Sequence, residues 1–332
     1  IVGILRWSGD IEKAVTGRSK LIWEEARKRN IEMQQAIMFG KPIELYRANI
    51  HGKNHFFPSI PIPPHLPQAG YSWLDDKLRL SEELRTAGIP SPRSILVPIF
   101  GDNAKIILRE LSTPIIVKPK DGSRGRHTTT NIRTEQEFKR ALTLGRKISL
   151  FLLAQEHLMG SVYRATVVDG KLVGFFRADS PQVMGDGVKN IRELIEEKNK
   201  ILHERLSPMI VNDDLLSFIE RQGYDLESIP GKKMQVNLSA KTGRMYGGYT
   251  KEMLPEVHSK MHTIFEKVAK VVNVPVAGFD LIIENPSEDP DSQRWGIIEC
   301  NSLPFIDLHC FPLEGNPINV AKHVWDLWDK QK

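Results

Sequence analysis

Apolar residues recur along this chain at two spacings, every second position in some stretches and every third or fourth in others, and each change of period marks a change of element. Ile1 to Leu5 is short and apolar and predicts a strand; a helical period runs from about Ser19 to Arg29, and "IEMQQAIMF" and "IELYRANI" return to strand-like spacing. These predict a small α/β domain over residues 1–70. The proline-dense tract Phe56 to Pro67 closes it, because such a run sustains neither a helix nor a central strand and reads as a linker. Beyond it, Asp75 and Asp76 precede "KLRLSEELRTAG" and Gly88 ends it, the acidic start and glycine stop of a helix. In "TEQEFKRALTLG", Thr134 and Glu137 stand at capping-box spacing and Gly145 closes the helix. "SLFLLAQE" reads as a buried strand, and "YRATVV" and "KLVGFFR" flank Asp169-Gly170, a strong hairpin signal. Asn190 with Glu193 caps "IRELIEEKNK", and Asn212 to Arg221 predicts a further helix before Gly223. "MQVNL" and "RMYGGYT" are strand candidates around the turn "AKTG". A longer helix from about Glu256 to Val272 presents Val257, Met261, Ile264, Phe265, Val268 and Val272 on one face. Last, "VAGFDLIIE" and "RWGIIECN", joined by polar "NPSEDPDSQ", predict an antiparallel pair.

Composition narrows the class. The 332 residues, 40% hydrophobic and 26% charged, are ordinary for a globular protein with two or three domains. No run approaches the roughly 20 apolar residues that span a bilayer, and the apolar start is too short for a secretory segment, so a soluble protein with no membrane partner is expected. Cys300 and Cys310 are too few for a disulfide framework or a zinc site, which favours the cytoplasm. Lys and Arg exceed Asp and Glu by 46 to 41, a net charge of +5 spread along the chain. That balance favours anionic ligands and lacks the clustered basic face of a nucleic-acid binder.

Two constellations then carry the candidate chemistry. In "IVKPKDGSRGRHTTT", Ile116 to Thr130, an apolar strand ends at Lys118 and opens into a loop whose glycines, Gly122 and Gly125, free backbone N–H groups from Asp121 to Arg126 to cradle phosphate. It matches neither the Walker nor the dinucleotide glycine pattern, and a solvated hairpin loop would read the same way. The second constellation is Asp280, Glu299 and Asn301. Asp280 interrupts one apolar strand and Glu299 ends another, so on neighbouring strands three oxygen-bearing side chains converge as a site for Mg²⁺, while Cys300 turns to the other face. Edge-strand charges that blunt aggregation are the plainer alternative for either acid alone. Arg164 and Arg177 begin and end the hairpin and are read as two guanidinium forks directed at phosphate or carboxylate. "GDG", Gly185 to Gly187, serves either as an anion site at a helix start or as a plain turn and cap; His258 and His262, and Cys310 after His309, carry no catalytic pattern.

Taken in order, "DDK…GIPSP", "VKPKDGSRGRH", "QEHLMGSVYRATVVDGKLVGFFR", "VMGDGVKNIRELIEEKN", "VNLSAKTGRMYGGYT", "VAGFDLII" and "IIECNSLPFIDLHCFPLEG" resemble the ATP-grasp superfamily, and within it the ATP-grasp domain of cyanophycin synthetases and of bifunctional glutathione-synthesising ligases, from Asp75 to Trp328. The resemblance implies an α+β fold in which two subdomains, 71–160 and 161–332, grip ATP behind the N-terminal domain. It implies that Lys77 and Lys118 contact the phosphates, that the loop of Asp121, Gly122, Ser123, Arg124 and Gly125 folds over them, and that Gln155, Glu156, His157 and Leu158 form the adenine hinge. Asp280, Glu299 and Asn301 would hold two Mg²⁺ ions, with Mn²⁺ able to substitute, and Arg177, with Lys118 and Arg164, would stabilise the transferred phosphoryl group. The implied reaction is carboxylate–amine ligation through an acylphosphate, with a small acid and a small amine, amino acid or peptide, as substrates and with ADP and phosphate released. A small-molecule kinase using the same ATP site, and a non-catalytic nucleotide-binding protein, stay open as alternatives, as does a homodimer. The chain is expected to lack the family's long N-terminal portion and the Mur-ligase-like domain that performs a cyanophycin synthetase's second ligation. Val162 stands where the family has an acidic ribose contact, and "SAKTGRMY" stretches a segment that borders the acceptor in the family, so the amine substrate does not carry over.

Overall fold

The computed structural model describes residues 5–68, 72–100, 103–120, 128–239, 241 and 243–329. The first 68 residues form β1 (Leu5–Ser8), α1 (Gly17–Lys28), β2 (Met33–Met38), β3 (Lys41–Ile50) and β4 (Lys53–Phe57), the strands joining as an antiparallel sheet in chain order. The first strand thus lies later than expected, at Leu5–Ser8, and Ile1 to Ile4 fall outside the described residues. Helix α1 starts where Thr16 accepts the Ser19 amide and packs Ile22, Trp23 and Ala26 on the sheet.

A second group comprises α2 (Lys77–Thr86), β5 (Ser94–Val97), α3 (Ala104–Glu110), β6 (Ile115–Pro119), β7 (Thr129–Ile132), α4 (Glu135–Arg146) and β8 (Leu152–Glu156), with an antiparallel sheet in the order β5-β8-β6-β7. The capping box of Thr134 and Glu137 is formed in full, and Phe138 and Ala141 seat α4 against that sheet.

The remainder carries β9 (Ser161–Val168), β10 (Lys171–Ala178), β11 (Gln182–Met184), α5 (Ile191–Lys200), α6 (Asp213–Glu220), β12 (Gln235–Asn237), β13 (Thr250–Glu252), α7 (Ser259–Val272), β14 (Val276–Ile283), β15 (Gly296–Asn301) and α8 (Val320–Asp329). Its main sheet runs β13-β10-β9-β14-β15, all antiparallel, and β11 pairs only with β12 in a small lobe cored by Ile191, Leu194, Ile195, Leu215 and Ile219. The hairpin forms as read, with positive φ at Asp169 and Gly170. "RMYGGYT" does not form one strand beside "MQVNL": Arg244–Tyr246 is a single tight turn of 3-10 helix, and only Thr250–Glu252 extends, against β10 instead. Met261, Phe265, Val268 and Val272 on α7 cover one face of the main sheet through Tyr163, Phe175, Phe279 and Leu281.

The other face of that sheet meets the first 68 residues. Val168, Val173 and Val276 share a core with Trp23, Tyr46, Phe57 and α8, whose Trp325 and Trp328 indoles donate to Ile22 O (2.9 Å) and Pro61 O (3.0 Å). The proline tract read as a linker is therefore packed, with Ile60 and Ile62 buried in that core. No helix among the described residues is long and apolar enough to cross a membrane.

Candidate active site

Strand register builds the floor of the site. Phe176, Arg164, Asp280 and Glu299 stand opposite one another across β10, β9, β14 and β15, so they share the face turned away from α7. Their neighbours Tyr163, Phe279, Leu281 and Cys300 point into the α7 core, which is why charged residues are tolerated at alternate positions of apolar strands. The register slips by one residue at Ile298, a bulge that re-aims Glu299, and Asn301 follows opposite Gly278. Arg164 grips Asp280 with two hydrogen bonds, Nε to Oδ1 and Nη2 to Oδ2 at 2.8 Å, while its Nη1 is buried with no partner.

The opposing wall comes from the second sheet. Lys118, near the end of β6, donates to Gln155 Oε1 at 2.7 Å, and Gln155 donates onward to Ser94 Oγ at 2.7 Å. Burial pushes the Lys118 ammonium down to about 8, the positive charge of Lys77 adds to that, and Glu299 opposes it. The Glu299 carboxyl is raised, first by burial and further by Asp280, against the pull of Lys77, Arg164 and Lys118. Such mutual influence weakens with distance and with solvent screening. Lys77 at the start of α2 and Lys118 on β6 are thus near enough to Glu299 on β15 for each to act on its charge. Asp76 accepts the Leu78 and Arg79 amides as the N-cap of α2, and its carboxylate lies 4.0 Å from Lys120 Nζ, which ties the start of that helix to the end of β6.

A short connection from β8 to β9 joins the two walls. Glu156 Oε2 accepts the Arg93 amide at 3.1 Å and lies 3.4 Å from Arg294 Nη2; the His157 amide donates to Pro114 O at 3.0 Å. Burial lowers the basicity of the His157 ring, whose Nδ1 is buried without a partner. Leu158 packs at Gly296, and Gly160 has φ +117° with any Cβ falling 2.3 Å from Ile283 O, so only glycine lets the connection pass β14.

Of the residues expected at the site, the structure brings Lys77, Lys118, Arg164, Asp280, Glu299 and Asn301 to one cleft, with Gln155 against Lys118. It does not converge the two hairpin arginines. Arg177 pairs with Tyr163 in the next row, across the pleat from Arg164, and holds Asp179 at 2.9 Å and the Tyr249 ring at 5.4 Å. The loop from Asp121 to Gly125 lies outside the described residues. Two charged residues that the sequence reading passed over lie on or against the segment that follows Asn301. Arg18 donates to Leu303 O and Pro304 O just beyond Asn301, and Asp307 lies against the start of α1, with a Cβ at Gly17 falling 2.9 Å from its Oδ2. Arg18 carried no signal, because on α1 it reads as one more solvated cation; Asp307, six residues past Asn301, shared a quoted motif with it.

The donor set fits a divalent cation bridged to phosphates. Among the described residues no three His, Cys, Asp or Glu side chains form a ready cage, so the protein alone supplies too few ligands and phosphate oxygens would complete the shell. The raised Glu299 carboxyl has no hydrogen-bond or ion-pair partner among the described residues and is open to a cation, and the buried, unpaired Asn301 amide nitrogen is a donor suited to a phosphate oxygen.

No family model matches the chain. The cyanophycin synthetase of Synechocystis sp. is 32% identical over 260 residues, 76% of this chain and 30% of that protein. That of Trichormus variabilis is 29% identical over 316 residues, 93% of this chain and 34% of that protein, so the similarity extends beyond the segment from Asp75 to Trp328. Among solved structures, a bifunctional glutathione synthetase from Pasteurella multocida superposes with a TM-score of 0.64 at 20% identity, covering 95% of this chain and 44% of that one. The chain spans about a third of the length of the curated relatives it matches. Common architecture over nearly every residue, joined to sequence similarity over most of them, leads to one conclusion: the chain has the α+β ATP-grasp fold and is a homologue of the corresponding segment of cyanophycin synthetases and of bifunctional glutathione-synthesising proteins.

Proposed function

We propose that the chain is an ATP-dependent carboxylate–amine ligase. The observation that carries this reading is the row of Arg164, Asp280 and Glu299 across β9, β14 and β15, with the buried Lys118 ammonium near enough to feel the charge of Glu299. A cleft with cations on one wall and a carboxylate row on its floor suits a polyphosphate and its counter-ions, and so does the homology to the two ligase families. Lys77 and Lys118 bind the phosphate oxygens, and a bound anion restores the charge that burial takes from Lys118. Residues 155–158 line the adenine end, and the loop Asp121, Gly122, Ser123, Arg124, Gly125 covers the phosphates. Glu299, Asn301 and Asp280 hold magnesium, two ions in this reading and manganese as a substitute, which supplies charge neutralisation between substrate carboxylate and triphosphate. Arg164 keeps Asp280 oriented through its two-point contact and offers its unpaired Nη1 to the transferred phosphoryl group; Arg177, across the pleat from Arg164 and held by Asp179, takes no part in the transfer in this reading.

In this chemistry a carboxylate oxygen of the acid forms a bond to the γ-phosphorus as the bond to ADP breaks. The amine nitrogen then attacks the acyl carbon, loses a proton, and expels phosphate, which leaves an amide. Small acids and amines, amino acids or short peptides, are the proposed substrates, and a cytoplasmic homodimer is the proposed setting. The test is phosphate release from Mg-ATP over pairs drawn from amino acids and small carboxylates, followed by product mass. Release that requires both an acid and an amine is expected; turnover of a lone alcohol without free phosphate overturns the reading.

A further inference from the structure

Strand β15 ends at Asn301, opposite Gly278, and the chain then runs over the sheet to His309. The His309 ring is fully buried between Thr166 Oγ1 at 2.7 Å and Glu252 Oε2 at 2.6 Å, so both ends of this passage are fixed to the main sheet. Its middle is fixed from elsewhere. Among the described residues, the only hydrogen bonds that tie residues 303–308 to another element come from Arg18, in the first turn of α1. Its Nη1 donates to Leu303 O and, at 3.4 Å, to Pro304 O. The same guanidinium lies 5.3 Å from the centre of the Phe305 ring.

The first lobe orients Arg18 for that contact. Arg18 Nη2 donates to Ser59 Oγ at 2.9 Å and to Glu44 Oε1 at 3.4 Å, and Glu44 Oε1 also accepts from the hydroxyls of Thr16, Ser19 and Ser59. Burial by itself would raise the Glu44 carboxyl; the Ser59, Ser19 and Thr16 hydroxyls and the Arg18 charge outweigh it and hold the group below its usual value. Glu44 is therefore an anion beside Arg18. One edge of the planar fork is anchored in the first lobe and the other is given to the backbone beyond Asn301, a division that a lysine ammonium does not reproduce. Helix stability does not account for the residue. A cation in the first turn faces the positive end of the helix dipole, and α1 has no acidic residue there to offset it. Nor is it a solvated charge, since only 7% of it is exposed.

Resting on the reading of the cleft as a metal–nucleotide site, we infer that Arg18 is a positioning residue for that site. From a lobe that carries none of the residues assigned to ATP, it holds the Leu303 and Pro304 carbonyls and thereby fixes the Asn301 side chain beside Glu299 and Asp280. Lys77, Lys118 and residues 155–158, which grip the nucleotide itself, have no contact with it. Loss of Arg18 therefore weakens the metal-dependent part of nucleotide binding and spares the rest.

The test is calorimetry on the full chain with a non-hydrolysable ATP analogue, once with excess Mg and once with EDTA. The parent is expected to bind about tenfold or more tighter with Mg. Arg18→Met, which keeps the length of the side chain and removes both contacts, should lose about tenfold of that gain, the lower end of what a group supporting a metal ligand is worth, with affinity in EDTA unchanged. Arg18→Lys, able to keep one contact, should lose less, and Glu44→Gln, which weakens the anchor of the fork, should lose a part. Ile22→Ala, fully buried one turn along α1, should lower the melting temperature and leave the gain intact. The inference is overturned if Arg18→Met keeps the full gain, if its affinity falls equally in EDTA, or if Ile22→Ala loses the gain as well. Should Arg18→Met not fold, the full gain in both Arg18→Lys and Glu44→Gln overturns it. A parent that binds no tighter with Mg than in EDTA sinks the metal–nucleotide reading first, and the inference with it.

Discussion

At the residue scale, Lys118 is the most exposed to test. Removing one preorganised charge partner from a transition state costs about 10²-fold or more in turnover, so Lys118→Ala and Glu299→Gln should each fall by at least that factor in steady-state phosphate release. The pH dependence has a definite sign. Burial has lowered the Lys118 ammonium to about 8, so below that pH it is charged and ready for phosphate, and above it the proton must be taken up when nucleotide binds. Affinity for Mg-ATP should be flat below about pH 8 and then fall by about tenfold per pH unit, with proton uptake visible by calorimetry in buffers of different ionisation heat; in Lys118→Arg the fall should vanish. Lys118 and the acidic strand pair were legible in the sequence, because each is a charge at the end or in the middle of an apolar strand. The capture of Asp280 by Arg164 was not, since it depends on which strand lies beside β14, and no local pattern specifies that pairing.

At the element scale, short-range signals were read well wherever one segment satisfies its own backbone. Both capping boxes form, at Thr134 with Glu137 and at Asn190 with Glu193, and Thr134→Ala should cost about 1 kcal/mol by urea denaturation without touching nucleotide affinity. Elements that need a distant partner escaped. β5 is four residues long and exists by lying against β8, and α8 carries Val320, Ala321, Val324, Trp325 and Trp328 at helical spacing that passed unread beside the motif residues before it. "RMYGGYT" misled because tyrosine and threonine favour extended backbone, whereas Gly243 and Gly247 at positive φ fold it into a turn. The connection at Gly160 makes a sharper prediction. Gly160→Ala forces a Cβ into the Ile283 carbonyl at a backbone angle that alanine resists, so both stability and adenine-nucleotide affinity should drop together, as read by denaturation and calorimetry.

At the scale of the whole molecule, the proline tract taught the wrong lesson about separateness. Proline density excludes regular structure, and it does not exclude packing: Ile60 and Ile62 are core residues, and Pro61 O receives the Trp328 indole. Because α8 fills the core of the first 68 residues, Trp325→Ala should destabilise by about 3–5 kcal/mol, and its loss should be felt in β2 to β4 by hydrogen exchange as well as in α8.

That arrangement also bears on how the chain is made. The ribosome delivers β1 to β4 long before it delivers Trp325 and Trp328, and at typical elongation rates the gap of some 260 residues lasts roughly tens of seconds. Throughout that interval Trp23, Tyr46 and Phe57 lack the α8 face that completes their core, so the first lobe reaches its full stability only when the last helix has been made.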